Sequence, residues 1–391
     1  MFLLGFLVAA AYWPGLLDAA LVPRWAVMAA GVPAAFLLEP LLTPRLSLAA
    51  AAVALALAAP LLWAPSWPDG LDEAIHVAIL AGAFVLAYSA PTVQHLWRGF
   101  ALGICVSAAL ALLQVMGWEG VQQSVPPAGL FANKNMLAEA AALALLASIG
   151  FAGRWRWLAL GCLLAVGLTG SRSAWAALII AWALATRTSN RWASLSLLAM
   201  VVVLGAVTFY LSASLPDGMG LRSSAGERLQ AWGAVLGSLT LWGHGLGSYA
   251  LSNPWMEFAH NEYLQLVYEG GALALVPIGY LLWLIVRRLP DGGDIAWLVL
   301  VAVATMALLS FPLHMPATAF CAAVAAGRLA RGRGALCDAE HAGRTLLRSH
   351  DAYQFGEFFA STGARGCGAG DLPAQPHAAQ GGGGAAPELG R

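Results

Sequence analysis

Charge is what this chain has least of. Only 10% of its 391 residues are Asp, Glu, Lys or Arg, against 60% hydrophobic, whereas a soluble domain carries about 25% charged residues. A water-solvated exterior cannot be built from that composition, so the chain reads as a polytopic helical membrane protein. Lysine is nearly missing, with Lys134 the single one. Acidic and basic residues number 20 each, for a formal net charge of +0, which leaves no basic footprint for nucleic acid. Cysteine is sparse too. Cys105, Cys162 and Cys321 sit in apolar runs, Cys337 and Cys367 lie near the C-terminal end, and no CxxC pair or zinc spacing occurs. Strict alternation of polar and apolar residues is absent, which argues against a transmembrane β-barrel. No basic region precedes the first apolar run, so that run is expected to be a first span rather than a cleaved signal.

Long apolar runs are what the chain has instead. They predict an all-α fold with about twelve transmembrane helices, at residues 2–17, 25–42, 46–64, 76–92, 99–116, 135–152, 156–170, 173–186, 193–212, 260–286, 295–312 and 315–328. Arginine sets the orientation. With the N-terminus in the cytoplasm, Arg45, Arg98, Arg154, Arg156, Arg187, Arg191, Arg287 and Arg288 all fall in inner loops, and Arg328, Arg331 and Arg333 follow the last span. Residues 1–330 then form the membrane domain. Its largest outer loop, 213–259, joins the ninth and tenth spans, with a helix expected over 226–241. Residues 331–391 are rich in Gly, Ala, Arg and His and are expected to be a disordered cytoplasmic tail.

Five cations break the orientation rule: Arg24, Lys134, Arg172, Arg222 and Arg228. Arg24 stands in a short connector and reads as structural. The other four lie in or beside polar motifs on the outer face. Those motifs are Gly129–Asn135, Thr169–Ser173, Arg222–Arg228 and His260-Asn261-Glu262. Three of them start a helix running into the membrane, with Asn133 or Asn135, Ser171 or Ser173, and Asn261 as candidate N-caps. Three positive helix ends with Lys134, Arg172, Arg222 and Arg228 would make a strong anion site, suited to a diphosphate at the bilayer surface. His260 is the candidate proton acceptor, since an imidazole titrates near pH 6.5 and suits base work around neutrality. Glu139, on the sixth helix, could pair with a cation or orient the base. Glu269, further along the tenth, could be buried and paired or could touch substrate. His314, at the last outer turn, and His244, between two glycines, are weaker candidates. No Asp-x-Asp pair stands in an outer loop, so metal-dependent transfer is not expected, and no cofactor is implied.

At these residues the chain resembles the O-antigen ligase and polymerase superfamily of bacterial inner-membrane proteins. The similar features are GLFANKNMLAE at 129–139, TGSRSAWAAL at 169–178, WGHGLGSYA at 242–250 and AHNEYLQLVYEGGALAL at 259–275. The resemblance spans roughly residues 1–330. It implies a metal-independent glycosyltransferase of the integral-membrane type with a periplasmic site. It implies a glycan donor on undecaprenyl diphosphate and, as acceptor, lipid A-core, a growing polysaccharide or a protein hydroxyl. By the same resemblance the catalytic His is His260, and the diphosphate-binding arginines are Arg172 and one of Arg222 and Arg228. A transporter or flippase is the reading from a different class; it would place charged or broken helices at the midplane rather than polar residues on one face.

Overall fold

The computed structural model describes residues 1–16, 18–38, 48–185, 223–253, 256–288 and 294–331. The expected ninth span, Arg45, Arg187, Arg191, Arg222 and the tail beyond residue 331 lie outside the described residues. The described residues carry helices and no strand; a single isolated bridge pairs Val125 with Asn133. The helices are α1 (Phe2–Ala10), α2 (Leu21–Leu38), α3 (Leu48–Ala58), α4 (Trp67–Ser89), α5 (Gln94–Val115), α6 (Lys134–Ile149), α7 (Leu158–Thr169), α8 (Arg172–Ala185), α9 (Ser223–Gly237), α10 (Ser248–Ser252), α11 (Glu262–Gly270), α12 (Leu275–Val286), α13 (Ile295–Met306) and α14 (Pro316–Arg331). Three stretches are long and apolar enough to cross a membrane: Trp67–Ser89, Gln94–Val115 and the composite Glu262–Val286. Shorter apolar helices accompany them, Arg172–Ala185 and Ile295–Met306 among them. Large apolar side chains such as Leu37, Leu55, Leu62 and Trp157 stand exposed on the outside, a surface that hydrocarbon accepts and water does not.

α6 is the central helix. Beyond its first turn and a half it is almost wholly apolar, and Leu137–Ser148 is buried except at Leu145, as a helix without a solvated face must be. It packs against α5, α7, α8 and α13. Small residues set the tightest contacts, as expected where helix pairing relies on close backbone approach. A methyl group at Gly5 of α1 would overlap the Leu96 carbonyl of α5, and one at Gly99 would overlap the Phe2 carbonyl. On α14, a methyl at Gly327 would meet the Phe84 carbonyl of α4.

Boundaries shift where local chemistry overrides hydropathy. The fourth apolar run was bounded at residue 76, but α4 starts at Trp67. Pro68 is tolerated in its first turn and Asp69 favours that positive end. The tenth run divides into α11, a 3-10 turn at Gly271–Ala274 and α12. The loop helix expected over 226–241 is α9, which begins earlier and stops at Gly237.

The break after α11 has a specific cause. A helix leaves its last carbonyls without intrahelical donors, and here the glycine-rich segment 241–247 supplies them. His244 N–H donates to Tyr268 O at 2.8 Å and Gly245 N–H to Glu269 O at 3.0 Å, while Ala272 N–H donates back to Leu241 O at 2.7 Å. The two strands of chain touch backbone to backbone at Gly243 (φ 72°) and Gly271 (φ 56°). A side chain on either would strike the other strand: Gly243 faces the Glu269 carbonyl and Gly271 the Leu241 carbonyl. Both also hold left-handed backbone that only glycine adopts freely. We therefore expect Gly243→Ala to destabilise the protein by about 2 kcal/mol or more. Gly226→Ala, in α9 with open space around it, should be neutral or stabilise by up to about 1 kcal/mol. Thermal unfolding in detergent micelles compares the two.

Candidate functional site

Four polar motifs far apart in sequence converge on one cavity of about 90 Å³. Arg172, at the first position of α8, Arg228 of α9 and His260, just ahead of α11, all line it. Asn133, Asn135, Glu139, Ser171 and Ser173 complete the polar wall, and Leu309, Ser310 and Phe311 close it with Met136 and Met315. The N-termini of α6 and α8 both open onto this space. Asn133 caps α6, its side-chain oxygen accepting the Asn135 N–H at 2.8 Å. At the start of α8, the Ser171 and Ser173 hydroxyls lie 3.1 Å apart, and Ser173 donates to Glu139 Oε1 at 2.7 Å. The Glu139 carboxyl is buried, with that hydroxyl as a partner.

His260 has the one left-handed backbone among described non-glycine residues, φ 52°. Such conformations are uncommon outside glycine and concentrate at functional sites. Its ring stands edge-on to Phe311, centroids 4.9 Å apart. Asn261 follows and caps α11, accepting the Leu264 N–H at 3.1 Å and donating to Leu308 O at 3.3 Å. Burial, and after it the nearby Arg228 charge, push the His260 pKa down to about 4. The ring is therefore neutral at physiological pH, the form a proton acceptor needs.

Arg228 is half-buried. Its Nη1 donates to Leu309 O at 3.1 Å, while its Nε is buried without a partner among the described residues. Burial and the neighbouring Arg172 lower its pKa, so the two guanidinium groups sit close enough to repel. Glu139 offsets part of that charge. An anion with several acceptor oxygens would relieve the repulsion, satisfy the idle Nε and face two helix N-termini.

Several residues expected at the site lie elsewhere. Lys134 does not line the cavity; its backbone N–H donates to Val125 O at 2.9 Å. Arg222 lies outside the described residues. Glu262, Glu269 and His314 border a separate and largely apolar cavity of about 310 Å³. Glu269 is buried, accepting N–H groups of Gly247 at 3.2 Å and Tyr249 at 3.4 Å, so it holds the glycine-rich segment in place. Glu262 accepts the Leu313 N–H at 3.1 Å, and its other oxygen lies 2.8 Å from His314 Nδ1. Burial opposes charge on His314, but the carboxylates of Glu262, Glu73 and Glu269 outweigh it and raise its pKa. Gln265 works the other way. Its Oε1 takes the Ala259 N–H, so its amide nitrogen faces His314 Nε2 at 3.2 Å and favours an unprotonated Nε2. His244 is tied to Ser238 O at 2.7 Å and stacks on Tyr268 at 4.3 Å. Ser173, Ser310 and Phe311 are cavity residues that sequence reasoning did not put forward as site residues. Ser173 was legible only as a possible helix cap, and the other two carry no local signal.

Residues 157–279 match the family model described as O-Antigen ligase, a match that supports the O-antigen ligase superfamily. The matched segment contains Arg172, Arg228 and His260, and it ends before the 307–315 turn, which touches Arg228 and His260. Comparison with curated proteins finds no match.

The depressed His260 pKa gives a direct expectation. Between about pH 4 and 6.5 an unfolded chain takes up a proton at this position and the folded ring does not, so folding stability declines as the pH falls through that window. Histidine NMR of the full chain should show one ring, lost in His260→Asn, that titrates near pH 4 rather than 6.5. In Arg228→Gln that midpoint should rise. A normal midpoint in the unaltered protein would contradict the buried, cation-flanked site.

Proposed function

We propose that this chain, whose residues 157–279 match the O-antigen ligase family, transfers a glycan from undecaprenyl diphosphate to an acceptor hydroxyl at the periplasmic face of a bacterial inner membrane. The observation that carries this reading is the cavity shared by the His260 imidazole and the Arg172 and Arg228 guanidinium groups. The donor's diphosphate lies against Arg172, Arg228 and the N-termini of α6 and α8. His260 removes the acceptor hydroxyl proton as that oxygen bonds to the anomeric carbon. The bond from that carbon to the diphosphate oxygen breaks on the opposite face, so the anomeric centre inverts. The arginines stabilise the negative charge that builds on the departing diphosphate, which is electrostatic catalysis by preorganised cations. Binding of the diphosphate also offsets the Arg228 charge and so raises the basicity of His260 when the donor is in place. None of these steps calls on a metal.

A ligase is the member of the family we favour, with lipid A-core as acceptor. A polysaccharide polymerase and a protein O-oligosaccharyltransferase would use the same cavity with a different acceptor. Deletion of the gene, read by gel analysis of surface glycans, separates them. Loss of capped lipid A-core identifies a ligase, a single-repeat product a polymerase, and an unmodified protein a protein transferase.

The reading predicts a division of labour. His260→Asn should lower transfer about a thousandfold, within the range of general base catalysis, while binding of undecaprenyl diphosphate survives. Arg172→Ala and Arg228→Ala should weaken both. Assays with the reconstituted chain and an undecaprenyl diphosphate-linked glycan provide the check; undiminished transfer by His260→Asn would refute the base.

A further inference from the structure

The turn between α13 and α14 touches both halves of the proposed site. Its Ala307 carbonyl accepts the Glu262 N–H at 2.8 Å and its Leu308 carbonyl the Asn261 side chain at 3.3 Å. The Leu309 carbonyl accepts from Arg228 at 3.1 Å, and the Phe311 ring packs on His260. One short segment thus sets the position of the imidazole and of a guanidinium relative to each other. Its beginning is tied by the Glu262 N–H and the Asn261 side chain. Its end is tied to α11 by the Glu262 carboxylate, one oxygen of which takes the Leu313 N–H at 3.1 Å while the other lies 2.8 Å from His314 Nδ1, and by the Gln265 amide, 3.2 Å from His314 Nε2. Neither that second Glu262 oxygen nor His314 Nδ1 has another hydrogen-bond partner among the described residues, and a proton carried on Nδ1 is what would satisfy both.

We propose that His314, through Glu262, is a positioning residue for His260: the contact pins the end of the turn so that Phe311 and Leu309 hold the base and Arg228 in register. The proposal rests on the glycan-transfer reading above. His314 touches neither the cavity nor the substrate; it acts two residues along from the base, through a carboxylate that never faces the reaction. Its surroundings fit that task. It is packed among Glu262, Glu73, Glu269, Gln265 and the Phe258 ring. Of these, Glu262 stands at the N-terminus of α11 and bonds the main chain of the turn directly, through the Leu313 N–H.

The experiment compares two substitutions in the full chain reconstituted with undecaprenyl diphosphate-linked glycan and whichever acceptor supports transfer by the unaltered protein. Asparagine places an amide N–H near the position of Nδ1, so His314→Asn keeps the contact with Glu262, whereas His314→Leu removes it. We expect His314→Leu to lower kcat by about tenfold or more, with the donor KM changed by less than about threefold, because misplacing a reacting group by a fraction of an ångström slows chemistry more than binding. The acid limb of its kcat/KM profile should move upward, towards that of an ordinary histidine, as His260 loses its packing. His314→Asn should stay within about threefold of the unaltered chain on each measure. Equal impairment of both variants, unchanged kcat and acid limb in His314→Leu, or a KM that rises in step with the fall in kcat would each overturn the positioning role. If His314→Leu does not fold, Glu262→Leu reads the same tie with the same expected outcomes. Absence of transfer by the unaltered chain would instead count against the glycan-transfer reading itself.

Discussion

Helix ends leave backbone donors and acceptors unpaired, and in a chain this poor in polar residues the groups able to satisfy them are few. That constraint organises the molecule. Arg24, wholly buried, spends its guanidinium on the carbonyls of Val8, Ala9, Ala20 and Leu130, joining α1, α2 and the segment ahead of α6. Gln114 accepts the N–H groups of Ala128 and Gly129. Gln265 takes the Ala259 N–H, Glu262 that of Leu313, and Glu269 those of Gly247 and Tyr249. Each of these side chains closes a gap in the main chain. The same closures bring the loops together at one end of α6, where Asn133, Asn135 and Glu139 meet residues of α8 and α9.

The two histidines near that end show how environment separates function from support. His260 sits beside a guanidinium and an aromatic edge, and burial keeps it neutral. His314 sits among carboxylates and binds one of them. Identical side chains beside a shared turn therefore take on different chemistry: burial, and after it the Arg228 charge, keeps the first neutral, whereas carboxylates outweigh burial at the second. Within the proposed reaction only the first can accept a proton from a substrate; the second keeps the geometry.

Much of the fold was legible in the chain because hydropathy is a local property. Every expected apolar run that falls on described residues contains a helix, and Asn133 and Asn261 cap helices as their residue types suggest. The gathering of Arg172, Arg228 and His260 followed from cations found where the orientation rule disfavours them. The roles of Glu262, Glu269 and His314 were not legible. Each is settled by partners distant in sequence, such as Leu313 for Glu262, 51 residues away, and no local pattern announces a main-chain N–H in need of an acceptor. Ser310 and Phe311 escaped notice for the same reason: they matter only because of what folds against them.

The crossing of Gly243 and Gly271 has a consequence for how that region can vary. Each lacks a side chain because the backbone of the other occupies the space. A methyl at one would wedge the two strands apart, and the second methyl would then enter a gap already opened. Their costs should overlap instead of adding, so a double-mutant cycle would return a large coupling between two residues that have no side chains to interact. Pairwise coupling here would report a shared clearance between main chains, with no attractive contact behind it.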